Sequence, residues 1–157
     1  MSGLLSKTLF GKPMKKYLEI YTDGGWYEQK NRITWGFIIV DNDVIQYTEN
    51  SHGSGAHKAD VERAESEAII QACKYVAKNP GNYRLYTDSK SVINKIENKV
   101  PNATKNPNIK GIQKILNSVN SSWNPESLVI EYKRRRSDIF SEHIDDLCRA
   151  WSGVNFK

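Results

Sequence analysis

Two short stretches of this 157-residue chain end alike: "IYTDGG" at 20–25 and "LYTDSK" at 85–90. Each is an apolar, aromatic run that stops at a carboxylate, Asp23 or Asp88, with small or polar turn residues after it. A third acid, Glu65, breaks a helical pattern. Between Val61 and Lys78 an apolar stripe at Val61, Ala64, Ala68, Ile69, Ala72 and Val76 recurs near the 3.6-residue period, and Glu65 projects close to its middle. A fourth, Asp145, borders the apolar face that Phe140, Ile144, Leu147, Cys148 and Trp151 make in a last helix, while Asp146 projects away. A carboxylate on a core-facing side is costly without a charged or hydrogen-bonded partner. Two readings of Glu65 therefore stand: a core acid paired with Arg63 or Arg84, or an acid aimed at the place where Asp23 and Asp88 meet. For Asp145–Asp146 the alternative is plain surface charge.

Four converging acids would repel one another and raise their pKa values. A divalent cation resolves this. Mg²⁺ is a hard ion that keeps several waters and binds through one or two carboxylates plus phosphate oxygens. Two such ions about 3.5–4 Å apart activate a water and stabilise the leaving oxygen in phosphodiester hydrolysis. Competing chemistries lack their signatures: no Cys/His spacing fits zinc, and there is no Walker loop, G-x-S-x-G elbow or dinucleotide fingerprint.

The elements that must position these acids can be read in order. "YLEIYTD" at 17–23 alternates as a strand does. "RITWGFIIVD" and "DVIQYTEN" flank a turn at Asp41-Asn42-Asp43 and predict a hairpin. The helix over 61–78 follows, closed by "NPG". A strand at 82–88 then leads into a helix of about nine residues capped by Ser89. A proline-bearing loop, a helix near 108–119, a strand "SLVIEYK", a loop "RRRSD" and a helix over about 140–151 complete the chain. The order β-β-β-α-β-α-α-β-α implies an α/β fold with one five-stranded mixed sheet, its first three strands antiparallel, flanked by helices. Strands 1 and 4 become parallel neighbours, about 4.8 Å apart. Asp23 and Asp88 then share the carboxyl edge, where open α/β sheets place their ligands.

Composition narrows the class. A hydrophobic fraction of 38% and a charged fraction of 26% suit a globular protein of one domain. No apolar run nears the roughly 18 residues needed to span a bilayer. Cys73 and Cys148 fall on helical apolar patterns and read as reduced core thiols of an intracellular protein. Of the net charge of +5, residues 1–16 carry +4 through Lys7, Lys12, Lys15 and Lys16. "KRRR" at 133–136 adds another +4, so charge is local rather than global. Residues 1–16 are expected to be a basic, flexible extension, with a mitochondrial presequence as the alternative to a cytoplasmic location. Residues 17–157 form the catalytic domain.

"YTDGG", "ERAESEAI", "LYTDSKSVI" and "HIDDLCRAW" together resemble, in order and type, the four acidic segments of the type 1 ribonuclease H family, over roughly residues 17–152. The resemblance implies a ribonuclease H-like fold and a monomeric endonuclease that cuts the RNA strand of an RNA/DNA hybrid with two Mg²⁺ ions, or Mn²⁺. It carries the family's carboxylates onto Asp23, Glu65, Asp88 and Asp145, with Asp23 bridging both ions. Glu65 and Asp88 would hold one ion and position the attacking water, and Asp145 would hold the other. Backbone at Gly24, Gly25 and Trp26 would meet the substrate.

The sequence departs from the family at three places. Many relatives carry a histidine about ten residues before the last Asp; here Arg135 stands there, which cannot shuttle a proton at neutral pH but can bind a phosphate. His143 is the other candidate for that role. The asparagine-rich segment before the helical Glu is "KADVERAE". No long basic insertion follows the second helix, although Lys105, Lys110, Lys114, Asn106 and Asn108 offer a reduced contact surface. Asn108 is equally readable as a helix N-cap, Ser89 as a cap, and Lys90 as an exposed helix-start lysine that could meet a phosphate. Trp35 and Trp151 read as core. Two other functions fit this sequence less well: a nuclease of the same fold acting on DNA, and a nucleic-acid-binding module without catalysis.

Overall fold

A computed structural model describes residues 15–54, 60–102, 105–122 and 124–153. The extension expected over 1–16 lies outside them, except for Lys15 and Lys16. The elements are β1 (Leu18–Tyr27), a 3-10 turn (Glu28–Lys30), β2 (Arg32–Asp41), β3 (Val44–Ser54), α1 (Asp60–Lys78), β4 (Tyr83–Thr87), α2 (Lys90–Ile96), α3 (Pro107–Ser122), β5 (Leu128–Tyr132) and α4 (Ile139–Ser152). One sheet runs β3-β2-β1-β4-β5. β1, β2 and β3 pair antiparallel, whereas β4 pairs parallel with both β1 and β5. The β2–β3 link is a two-residue loop with Asn42 and Asp43 at φ 46° and 70°. Both are left-handed, as a type I′ hairpin turn requires.

Alternation along the strands splits the interior in two. Ile20, Phe37, Ile39 and Leu85 face α1 and α3 in the larger core, which contains Ile69, Cys73 and Ile112. Tyr21, Ile38 and Val40 face the other way and pack on Ile144 of α4, with Tyr86, Phe140 and Leu147 beside them. α4 starts on a capping box, in which Asp138 Oδ1 accepts the Ser141 N–H at 2.8 Å and Ser141 Oγ accepts the Asp138 N–H at 3.0 Å. It ends at Gly153 with φ 74°.

Two glycines let helices reach β1 from both faces. A Cβ on Gly24 would lie 2.3 Å from the Ala64 carbonyl oxygen and 2.6 Å from the Glu65 nitrogen. A Cβ on Gly36, the β2 partner of Asp23, would lie 3.1 Å from Ile144 Cδ1 and 2.9 Å from Asn50 Cβ. α1 and α4 therefore close on the strand on either side of Asp23.

The structure corrects several boundaries. β1 runs on to Tyr27, because its pairing with β2 continues after its pairing with β4 stops at Tyr21↔Tyr86. Trp26 thus sits in a strand, not in a loop. Val61 is 40% exposed, since it lies one turn beyond Glu65 at the open end of α1. Trp151 is 42% exposed and packs at a tilt against His52 of β3, with ring centroids 5.0 Å apart, rather than entering the core. Asn106, not Asn108, caps α3: its Oδ1 accepts the Asn108 N–H at 3.1 Å, ahead of Pro107 at the first helical position. Among the described residues no helix is long and apolar enough to cross a membrane.

Gly24→Ala is expected to lose about 1–3 kcal/mol or more in urea unfolding, because backbone atoms of α1 occupy the space and cannot swing aside as a flexible side chain could. An unchanged midpoint would show that α1 does not need to be that close.

Candidate active site

Asp23 and Asp88 stand two residues beyond Tyr21 and Tyr86, the last paired positions of β1 and β4. The parallel register therefore brings both carboxylates to one edge. Asp145 reaches this edge from α4 and is 1% exposed, deeper than a residue bordering the apolar face. Asp23 and Asp145 are in carboxyl–carboxyl contact. Burial, then the charges of Asp88 and Asp145, push Asp23 well above the usual carboxylate range. Cys148, one turn along α4 from Asp145, donates its S–H to the Asp23 carbonyl at 3.6 Å.

Glu65 arrives from the opposite face on α1 and contacts Asp88 in the same carboxyl–carboxyl manner. Burial first, then the Asp88 charge, push it up to about 7 against a hydrogen bond from Ser89. Burial also raises Asp88, with the Arg135 charge and the hydrogen bond from Glu65 pulling the other way. Ser89 is buried and has two roles: its hydroxyl bonds Glu65, and its Oγ accepts the Val92 N–H at 3.2 Å to cap α2. Arg84 is engaged elsewhere, over the Tyr17 ring and toward the Glu126 carbonyl at 3.4 Å.

The second pair is wrapped in cations. Arg135 Nη2 lies 2.8 Å from Asp145 Oδ1, Arg136 Nη1 2.7 Å from Oδ2, and Arg149 Nε 3.1 Å from Oδ2. Burial would raise Asp145, but the hydrogen bonds from Arg136 and Arg135 and the contact with Asp23 outweigh it and hold the carboxyl below its ordinary value. Lys133 braces the start of this loop. Its ammonium pairs with Asp138 Oδ2 at 2.6 Å, donates to the Tyr21 hydroxyl at 3.1 Å and lies over the Tyr21 and Tyr86 rings. Buried Glu19 accepts the Tyr86 hydroxyl at 3.1 Å and the Lys15 ammonium at 2.8 Å, which extends the network to the start of the described chain.

The remaining residues singled out in the sequence fall in different places. Gly24, Gly25 and Trp26 follow Asp23 along β1, so their backbone flanks the acidic edge. Lys90 is exposed there, with its ammonium 4.7 Å from the Tyr132 ring centroid. Asn108 turns inward, its amide reaching Ser66 Oγ at 3.2 Å and Glu67 Oε1 at 3.4 Å. Asn106 joins it on Ser66 at 2.9 Å. His143 is exposed on α4. Sequence reasoning missed Arg136 and Arg149 as partners of Asp145. The i,i+4 spacing of Asp145 and Arg149 was the available signal.

The donor set suits a hard divalent ion. Among the described residues no three acidic, histidine or cysteine side chains close into one cage. The carboxylates come instead as two pairs, which fits an ion that takes one or two carboxylates and keeps waters for the rest.

The family model for RNase H matches residues 15–144, most of the chain, and stops one residue short of Asp145. The chain belongs to the RNase H family. Among curated proteins no relative matches. Among solved structures, RNase H1 of the halophilic archaeon Halobacterium salinarum has 18% identity and a TM-score of 0.65 over 86% of this chain and 96% of its own. A foamy viral protease-reverse transcriptase structure in complex with dsDNA has 18% identity and a TM-score of 0.71 over 88% of this chain and 95% of that one. LC11-RNase H1, isolated from compost by a metagenomic approach, was solved with an RNA/DNA hybrid. It has 18% identity and a TM-score of 0.61 over 85% of this chain and 94% of its own. At these identities the likeness is one of fold.

One consequence concerns the protein without metal. Folding moves Glu65 from an ordinary 4.5 to about 7, so between these values the folded state holds more protons than the unfolded one. Stability is greatest below about 4.5 on this account and falls as pH rises toward 7, by up to about 3 kcal/mol. Calorimetry in EDTA should show a lower Tm at pH 7.5 than at pH 5, with Glu65→Gln flattening the trend. A Tm that rises across this window would contradict the assignment.

Proposed function

We propose that this member of the RNase H family is a divalent-metal-dependent endonuclease that cuts the RNA strand of an RNA/DNA hybrid at the edge formed by Asp23, Glu65, Asp88 and Asp145. The observation that supports this most is the meeting of four carboxylates from four separate segments, as two contacting pairs, at the carboxyl ends of β1 and β4. Mg²⁺ or Mn²⁺ bound there would supply an activated water and charge stabilisation for the leaving oxygen.

The chain's own groups do the rest. Asp23, in contact with Asp145 and near enough to Asp88 to feel its charge, is the acid positioned to serve both pairs. Glu65, held by the Ser89 hydroxyl and in contact with Asp88, is the acid that would position an attacking water. Asp145 supplies the fourth carboxylate from α4. Gly24 has its bare face filled by α1, but beyond Tyr21 the β4 side of β1 has lost its strand partner, so the backbone groups of Gly24, Gly25 and Trp26 on that side are the ones a sugar–phosphate chain would meet. Contacts to consecutive 2′-hydroxyls along that backbone would separate RNA from DNA. Lys90 and Arg135 flank the edge as phosphate-binding cations. Arg135 stays protonated at neutral pH, so the leaving oxygen takes its proton from solvent rather than from this loop.

A second reading, a nuclease of this fold acting on DNA, is favoured by one observation. The amides of Asn106 and Asn108 are turned onto Ser66 and Glu67 instead of outward to base edges.

Cleavage of end-labelled hybrid, duplex DNA and single-stranded RNA in Mg²⁺ or Mn²⁺ separates the readings. Hybrid cut in the RNA strand alone is the expected result, with Asp23→Asn and Glu65→Gln each slowing it by about a hundredfold or more. Full activity in either variant would sink the assignment. Preferential cutting of duplex DNA would favour the second reading, and tight hybrid binding with no cleavage would leave a binding module.

A further inference from the structure

We propose that Arg135 and Arg136 act as a cation latch on Asp145. In the substrate-free protein their guanidinium groups fill the cation position at that carboxylate. The chain then takes up one divalent ion on the Asp23–Asp88–Glu65 side, and a second at Asp145 only when a substrate phosphate draws Arg135 away. The inference rests on the two-metal reading given above.

The geometry carries it in three steps. First, the two oxygens of Asp145 are both in use: Arg135 takes Oδ1 at 2.8 Å and Arg136 takes Oδ2 at 2.7 Å, with Arg149 on Oδ2 at 3.1 Å. With a guanidinium already against each oxygen, a cation approaching this buried carboxylate meets positive charge on both sides and must displace it to bind closely. Second, charge is unevenly placed. Three guanidinium groups crowd Asp145, whereas the Glu65–Asp88 pair has none in direct contact, so a first divalent ion meets less repulsion at that end. Two ions need either an arginine to leave or a phosphate to arrive, and the same event can be both.

Third, the two arginines differ in how they are held, as a latch requires. The Arg135 side chain is 53% exposed, and its close carboxylate is Asp145, with Asp23 and Asp88 acting only through their charge. An incoming phosphate can therefore capture it by the bidentate geometry guanidinium favours. Arg136 has alternatives at hand, Asp146 Oδ1 at 2.8 Å and Glu142 at 3.7 Å, so it can release Asp145 without losing an acidic partner. The Glu65–Asp88 pair has Ser89 in place of an arginine and has no such block. Because guanidinium does not titrate near neutrality, phosphate and metal concentration set the latch, not pH.

Mn²⁺ titration of the full chain without nucleic acid tests this, read by calorimetry and by the EPR signal of free Mn²⁺. The wild type should bind one ion per chain, and Arg135→Ala/Arg136→Ala two, its second ion gaining about tenfold or more in affinity. Arg135→Ala alone, at a half-exposed position and thus safe for folding, should gain part of that increase, and Arg135→Lys less. Two equal ions on the wild type, or no gained ion in either alanine variant, would overturn the latch. Hybrid cleavage by the same wild-type preparation separates the failures. Cleavage by a chain that already holds two ions overturns the latch alone, whereas no cleavage and no Mn²⁺ uptake overturns the nuclease reading and the latch with it.

Discussion

The structure depends on how closely two helices approach β1 at Asp23. α1 lies where a Gly24 side chain would be, and Ile144 of α4 reaches the space beside Gly36. Neither approach survives a bulkier residue without a shift of backbone or core. Because α1 and α4 press on opposite faces of one strand, acids spread over 122 positions, from Asp23 to Asp145, are held near a common edge. Their mutual repulsion is overcome by the two cores behind them. Buried carboxylates of this kind weaken a fold, and proteins retain them where chemistry needs them.

The edge is electrostatically lopsided. On the α1 side, Glu65 and Asp88 contact one another, with the Ser89 hydroxyl on Glu65, and hold protons more tightly than free acids do. On the α4 side, Asp145 has a guanidinium against each oxygen and holds its proton less tightly than a free acid. Asp23 belongs to both environments. A centre built this way invites a cation at one end and already has cations at the other.

Much of this was legible in the sequence, for identifiable reasons. Strand and helix order followed from β-branched runs, turn residues and helical spacing. Glu65 stood out because it interrupts an apolar stripe, and Asp23 and Asp88 because the same tripeptide ends two strands. What failed to show depends on contacts between distant segments. Trp26 entered a strand because β2 accompanies β1 beyond the point where β4 leaves it. Val61 and Trp151 obeyed the helical period, yet both stay partly exposed, Trp151 lying over His52 at the edge strand β3. Arg135, Arg136 and Arg149 converge on Asp145 only because the fold sets the 134–136 loop against the last helix, a contact that charge runs in the sequence do not display. Asn108 was placed by its neighbours' geometry, with Asn106 taking the cap.

The Lys133 network gives the loop a fixed base. Lys133 is held by Asp138, which also caps α4, and by two tyrosine rings whose hydroxyl chemistry leads to Glu19 and Lys15. The Lys133–Asp138 pair ties together the two ends of the four-residue stretch 134–137. The arginines stand like boom arms on a mast stayed at both sides, and the length of a side chain sets how far their charge can reach.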